Sequence, residues 1–219
     1  MTQFDFISVL SEWPSLLGGA GITLLMTLLA TLFGLLLGIA CGWAHANGPA
    51  WLRWPVGCYV ELVRNTPYII QLFFIFFGLP AAGIQLSALS ASVLSLILNL
   101  AAYASEIVRA GIQSTPHSQI EAAQSLALNR WQIFTRVVLP PALGRVWGAI
   151  GSQVVIIMLG SAVCSQISTE ELSYAANLIA SRSFHNFEAY IIAAAIYLLL
   201  ALLVRRILNW IGPRFIFGR

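Results

Sequence analysis

LLGGAGITLLMTLLATLFGLLLGIACGWA, residues 16–44, carries no charged side chain from end to end. A spanning helix needs roughly 20 mostly apolar residues, so this run predicts a first membrane span, closed by the turn His45-Ala46-Asn47-Gly48-Pro49. Gly34 and Gly38, four apart, place small residues on one helical face, the pattern that lets two membrane helices approach closely.

Similar runs follow along the rest of the chain. Of its 219 residues 59% are hydrophobic and only 9% charged, far below the usual quarter for a water-soluble domain. Further spans are predicted over 56–79, 88–108, 146–166 and 189–204, giving an all-α integral membrane protein of five helices in one domain, residues 1–219. The stretch 109–145 is polar and then amphipathic, and belongs outside the hydrocarbon. No positive region precedes the first run within Met1 to Pro14, so no cleaved signal peptide is expected.

All eleven basic residues counted under Lys+Arg are arginine. Arg53, Arg64, Arg109, Arg130, Arg136, Arg145, Arg205, Arg206, Arg214 and Arg219 fall on one side of five spans, and Arg182 alone on the other. Basic loops stay on the cytoplasmic side, so residues 109–145 and the C-terminus are expected inside and the N-terminus outside. Arginines that flank apolar runs do not form the basic, aromatic-interleaved face of a nucleic-acid binder. Glu61 and Arg64, and again Glu106 and Arg109, stand three apart near the cytoplasmic ends of spans two and three. They read as ion pairs, either solvated within each span or crossed between the two.

Residues 115–141 encode two short helices. Thr115 is expected to cap the first, with Pro116 at its first position; Asn129 and Gln132 form a capping box on the second, which Pro140 and Pro141 should stop. Ile120, Ala123 and Ala127 share one face, and Trp131, Phe134 and Val138 another. A helix pair with apolar stripes needs something to lie against.

Glu121-Ala122-Ala123, followed at the right interval by Leu139-Pro140, resembles the EAA loop of ABC-importer permeases. The resemblance spans nearly the whole chain. Arg64-Asn65-Thr66-Pro67 with Gln71-Leu72-Phe73-Phe74, the run from Ala102 to Ser114, and Glu171-Leu172, Ala176 and Glu188 are similar to the branch that imports histidine, arginine, glutamine, glutamate or opines. It implies the type I importer permease fold, with Glu121, Ala122, Ala123, Ala127, Asn129, Trp131, Leu139 and Pro140 coupling to cytoplasmic ATP-binding-cassette subunits. It also implies a second copy or sibling permease, a substrate-binding protein outside, and the bacterial inner membrane as location. Two departures stand out: Ala127 replaces the family's usual glycine, and Leu159-Gly160-Ser161-Ala162 replaces a lysine-aspartate-threonine-serine stretch.

Without lysine the chain has no P-loop, so ATP and Mg are expected in a partner and no cofactor in this chain. Cys41, Cys58 and Cys164 lack metal-ligand spacing, and His45, His117 and His185 lie far apart, so no metal site or protease motif is read. The span centres hold almost no ionisable groups, which disfavours an ion-coupled carrier or channel working without an ATPase; a purely structural membrane scaffold is the third alternative. Gln71, Asn99, Ser152, Gln153 and Ser161 are the polar residues expected at mid-membrane depth along a substrate path. Outside, Ser168 and Glu171 read as a capping box opening a helix to about Ala180, with Glu170, Glu171, Arg182 and His185 facing the binding protein.

Overall fold

The computed structural model describes residues 5–216, and Met1 and Arg219 lie outside them. All elements among the described residues are helical. A short helix α1 (Phe6–Ser11) leads into α2 (Trp13–Asn47), followed by α3 (Ala50–Arg64) and α4 (Tyr68–Phe73). α4 runs on through a π-helical turn to Gly78 and a 3₁₀ turn to Ala82. Next come α5 (Ala88–Gln113), α6 (His117–Ser125), α7 (Arg130–Gln132), α8 (Leu139–Gly160), α9 (Leu172–Ser183) and α10 (Asn186–Ile211).

Four helical stretches are long and apolar enough to cross a membrane: Trp13–Asn47, Ala88–Gln113, Arg130–Ile167 and Asn186–Arg214. The predicted second span, 56–79, is not one helix. It breaks at residues 65–67, and its halves, Ala50–Arg64 and Tyr68–Ala82, meet at a bend of 113°. Pro67 is the cause: it has no N–H to give Val63 the α-helical bond and biases Thr66 away from the helical region.

Close helix packing fixes the direction of travel. A Cβ placed on Gly34 would lie 3.0 Å from the Leu100 side chain, one on Gly38 2.6 Å from Ala104 Cβ, and one on Gly42 3.0 Å from Val108. Contacts that climb both chains together mean that α2 and α5 run parallel. The chain must therefore cross back between them, which is what the bent α3–α4 segment does. On α5 and α8 the contacts run the opposite way, since Gly111 abuts Ala142 while Asn99 and Gln153 line one cavity. The glycine face read from the sequence is thus a packing seam.

Three other expectations are corrected. Thr115 does not cap α6: its hydroxyl is buried and accepts from Arg145 Nη1 at 3.4 Å, and Pro116 takes the cap position without a side-chain bond. Pro140 and Pro141 do not stop the second hairpin helix, which continues from α7 through the π-helical turn Ile133–Val138 into α8. Leu139 N–H reaches back to the Phe134 carbonyl, so the prolines fall where the bond register returns from i→i+5 to i→i+4. Ser168 does not open the outer helix. It sits at φ 62° closing the 3₁₀ turn Ser161–Ile167, and Glu171 itself caps α9 by accepting from Tyr174 N–H at 2.9 Å.

Candidate functional site

The hairpin α6–α7 is held from below by its own sequence. α6 ends in a reverse turn in which Ala127 N–H donates to the Gln124 carbonyl at 2.9 Å and Leu128 N–H to the Ala123 carbonyl at 3.3 Å. This double closure places Ala127 at φ 56°, a left-handed conformation that glycine adopts without strain. Two residues later the predicted capping box is present, with Asn129 Oδ1 accepting from Gln132 N–H and Gln132 Oε1 from Asn129 N–H, each at 2.9 Å.

The two apolar stripes are split: Ala123, Phe134 and Val138 face the chain's own membrane helices, whereas Ala127 and Trp131 do not. Ala123, Ile133, Phe134 and Val138 form one buried cluster with Val108, Ile112, Ala142 and Ile150 of α5 and α8. Ala123 is therefore only 5% exposed and cannot be part of an outward docking face as expected; a charge there would unseat the loop. Leu139 and Pro140 are likewise half-buried. What the hairpin turns outward is Glu121, Ala122, Ala127 and Asn129, with Leu126 at 76% and Trp131 at 67% exposure as a bare apolar ridge. An exposed ridge of this kind on a seated hairpin has the chemistry of an interface anchor.

Beside the hairpin, the acid–base residues are crossed between elements. Glu106 receives Arg109 through two bonds of 2.9 and 2.7 Å, Arg64 of α3 approaches it at 3.6 Å, and His45 Nδ1 of α2 stands 3.2 Å away, off the hydrogen-bonding axis. Glu61 takes no part; it accepts from Asn65 Nδ2 at 2.8 Å. One carboxylate thus joins α2, α3 and α5 at the end of the bundle. His45 was missed as a member of this group, its only signal being its place in the last turn of the first span.

Between α4, α5 and α8 lies a cavity of about 430 Å³ lined by Thr66, Tyr68, Asn99, Tyr103 and Gln153 among apolar residues. Of the expected path residues, Asn99 and Gln153 meet there, and Gln71 stands behind Asn99, bonded to it at 2.9 Å. Ser152 and Ser161 do not join them. Ser152 lies on the exposed side of α8 and donates to Gly148, while Ser161 is buried and donates to Met158. Thr66, Tyr68 and Tyr103 were not foreseen, because the break that brings α4 over α5 is a tertiary event.

On the opposite end, Glu170 and Arg182 are exposed and His185 half-exposed. Glu171 is not on that surface: it is 0% exposed, accepting from Tyr197 Oη of α10 and Tyr174 N–H. Burial pushes its carboxyl above the ordinary range, against the bonds that favour the anion. Gly19 of α2 comes so close that a Cβ there would meet the Glu171 carbonyl at 2.9 Å. His185 instead contacts Glu188 at 3.5 Å and Asp5 at 4.0 Å.

The family model described as binding-protein-dependent transport system inner membrane component matches residues 30–217. The chain is 32% identical over 194 residues to the probable amino-acid ABC transporter permease protein YckA of Bacillus subtilis (strain 168), covering 89% of this chain and 86% of that protein. It is 31% identical over 215 residues to the glutamine transport system permease protein GlnP of Escherichia coli (strain K12), covering 97% and 98%. Among solved structures, a chain in the crystal structure of an amino acid ABC transporter with histidines matches with a TM-score of 0.86 at 33% identity, over 98% of this chain and all of that one. This chain belongs to the inner-membrane components of binding-protein-dependent transport systems.

Proposed function

We propose that this chain is the permease subunit of an ATP-binding-cassette importer that moves a polar amino acid, or an opine-like derivative, inward by alternating access. The observation that carries the reading is the hairpin: a structured helix pair seated on α5 and α8 whose outward ridge, Leu126 and Trp131, has no cover among the described residues. Separate ATPase subunits, which bind ATP and Mg, dock on that ridge. The relatives named as amino-acid permeases support the substrate class. The ten arginines grouped on the hairpin side support a cytoplasmic C-terminus and an outer N-terminus, with a substrate-binding protein meeting the face that carries Glu170, Arg182 and His185. A second permease, identical or sibling, completes the pathway beside the exposed side of α8.

The test is co-purification of the ATPase with Trp131→Glu and Leu126→Glu variants. Both side chains are exposed, so membrane insertion and folding are expected to survive while ATPase association drops at least tenfold, since truncating one interface anchor costs roughly 2 kcal/mol or more. Undiminished association would refute the coupling assignment. Labelling of a cysteine at residue 126 from the extracytoplasmic side would refute the orientation.

A further inference from the structure

The polar atoms of the transmembrane cavity are ordered by a relay of amides that begins at the broken helix. Pro67 leaves the Val63 carbonyl without its α-helical donor, and Gln71 Nε2 fills that place at 2.7 Å while also donating to the Thr66 carbonyl at 3.0 Å. With its nitrogen so committed, Gln71 turns its oxygen toward α5, where it accepts from Asn99 Nδ2 at 2.9 Å. Asn99 therefore presents Oδ1, an acceptor, on the cavity side. Across from it, Gln153 is 9% exposed, lines the cavity, and has no hydrogen-bond partner among the described residues. An amide without a protein partner that faces a cavity takes its hydrogen bonds from whatever fills that cavity, water or solute.

The same wall carries no charge. Tyr68 spends its hydroxyl on Ser95 and Cys164. Arg64, whose guanidinium carbon stands 5.6 Å from the centre of the Tyr103 ring, is itself paired to Glu106.

We infer that this cavity sorts the side chain of the transported amino acid by charge, accepting an uncharged group that both donates and accepts hydrogen bonds, a carboxamide or a hydroxyl, and rejecting ammonium, guanidinium and carboxylate side chains. The inference rests on the importer reading above and narrows its substrate class. A carboxamide N–H meets Asn99 Oδ1 and its carbonyl meets the Gln153 amide, so the relay is completed at both ends. A charged side chain gives up its hydration and finds no counter-ion. The α-ammonium and α-carboxylate are common to all candidates and contribute nothing to the choice.

The experiment measures thermal stabilisation of the purified permease–ATPase complex, without binding protein, by L-glutamine, L-asparagine and L-serine against L-arginine and L-glutamate. Ligand that binds only the folded complex raises its melting temperature by mass action. The uncharged amino acids are expected to stabilise at concentrations at least on the order of 100-fold lower than the charged ones, because a desolvated side-chain charge without a counter-ion is heavily penalised. Gln153→Glu places an anion in the wall and is expected to abolish the response to L-glutamine and create one to L-arginine; Asn99→Asp makes the same prediction should that variant fail to fold. Equal stabilisation by L-arginine or L-glutamate, or by no amino acid at all, overturns the inference. The importer reading is judged apart, by binding-protein-dependent stimulation of ATP hydrolysis in vesicles, which must fail for that reading to fall.

Discussion

Ala127 stands where the hairpin turn demands a left-handed residue, at φ 56°. An L-residue there costs roughly 1–2 kcal/mol, whereas glycine pays only the entropy of its freer unfolded chain, about 0.5–1 kcal/mol. The Ala127 methyl is exposed, so removing it forfeits no packing. Ala127→Gly is therefore expected to stabilise the turn by about 1 kcal/mol. That corresponds to about a fivefold drop in the locally open population, since about 1.4 kcal/mol is tenfold. Hydrogen exchange reads this directly at the Ala127 and Leu128 amides, whose bonds to Gln124 and Ala123 close the turn. In the assembled complex both amides should exchange about fivefold more slowly in the glycine variant. Ala127→Val, with a β-branched side chain forced into the same conformation, should exchange faster than the parent. If glycine gives no added protection, or valine matches alanine, the turn is not strained and the account of the missing glycine is wrong.

Three further outcomes follow from the packing and from two acids, Glu106, partly exposed, and Glu171, buried. Gly38→Leu drives a side chain into Ala104, already 2.6 Å from the position of a Cβ, and should cost about 1–3 kcal/mol on overpacking; Gly18→Ala, with nothing within 4 Å, is the control, and equal melting temperatures would discredit the seam. Glu106→Gln leaves Arg64 and Arg109 without their shared acid. The loss should be on the order of 1–2 kcal/mol, reduced by the water that reaches both guanidiniums, and should loosen α3 from α5 by hydrogen exchange; unchanged exchange in α3 would show that the cluster does not tie it. Because burial raises the Glu171 carboxyl, the folded chain holds its proton more tightly than the unfolded chain. Stability should fall as pH rises above the unfolded value of about 4.3 until the folded-state group has ionised, and Glu171→Gln should flatten that decline in melting temperature.

Four of the five apolar runs were legible as membrane-length helices because the hydrocarbon imposes a length and an absence of charge that each meets alone. The Asn129–Gln132 box was legible because a cap is written within four residues. What escaped depends on partners far along the chain. Ser168 and Glu171 have a capping-box spacing, yet Glu171 is drawn inward by Tyr197, twenty-six residues away. Pro67 reads equally as a tolerated kink in a membrane helix or as a break, and only the packing of Tyr68 against Ser95 and Cys164 decides for the break. Ala123 belongs to a stripe that is visibly apolar, but periodicity cannot say whether that stripe meets another subunit or the chain's own helices.

That same break links the two ends of the candidate machinery. Its rim holds Arg64, paired to Glu106 on the hairpin side, and Gln71, whose amide spans the gap in the helix and orders Asn99 on the cavity side. A continuous second span would satisfy the Val63 carbonyl internally and leave Gln71 free to turn. The cavity would then lose the fixed polarity of Asn99, and α3 its return to Glu106. A proline in the middle of a membrane segment thus serves here to release one carbonyl, and the released carbonyl orients a side chain two turns onward. The hairpin is seated on Val108 and Ile112, on average about one turn below Glu106 and about three below Asn99 on the same helix. Any displacement of the hairpin along α5 must therefore act on the carboxylate that holds α3 before it reaches the amides that face the cavity.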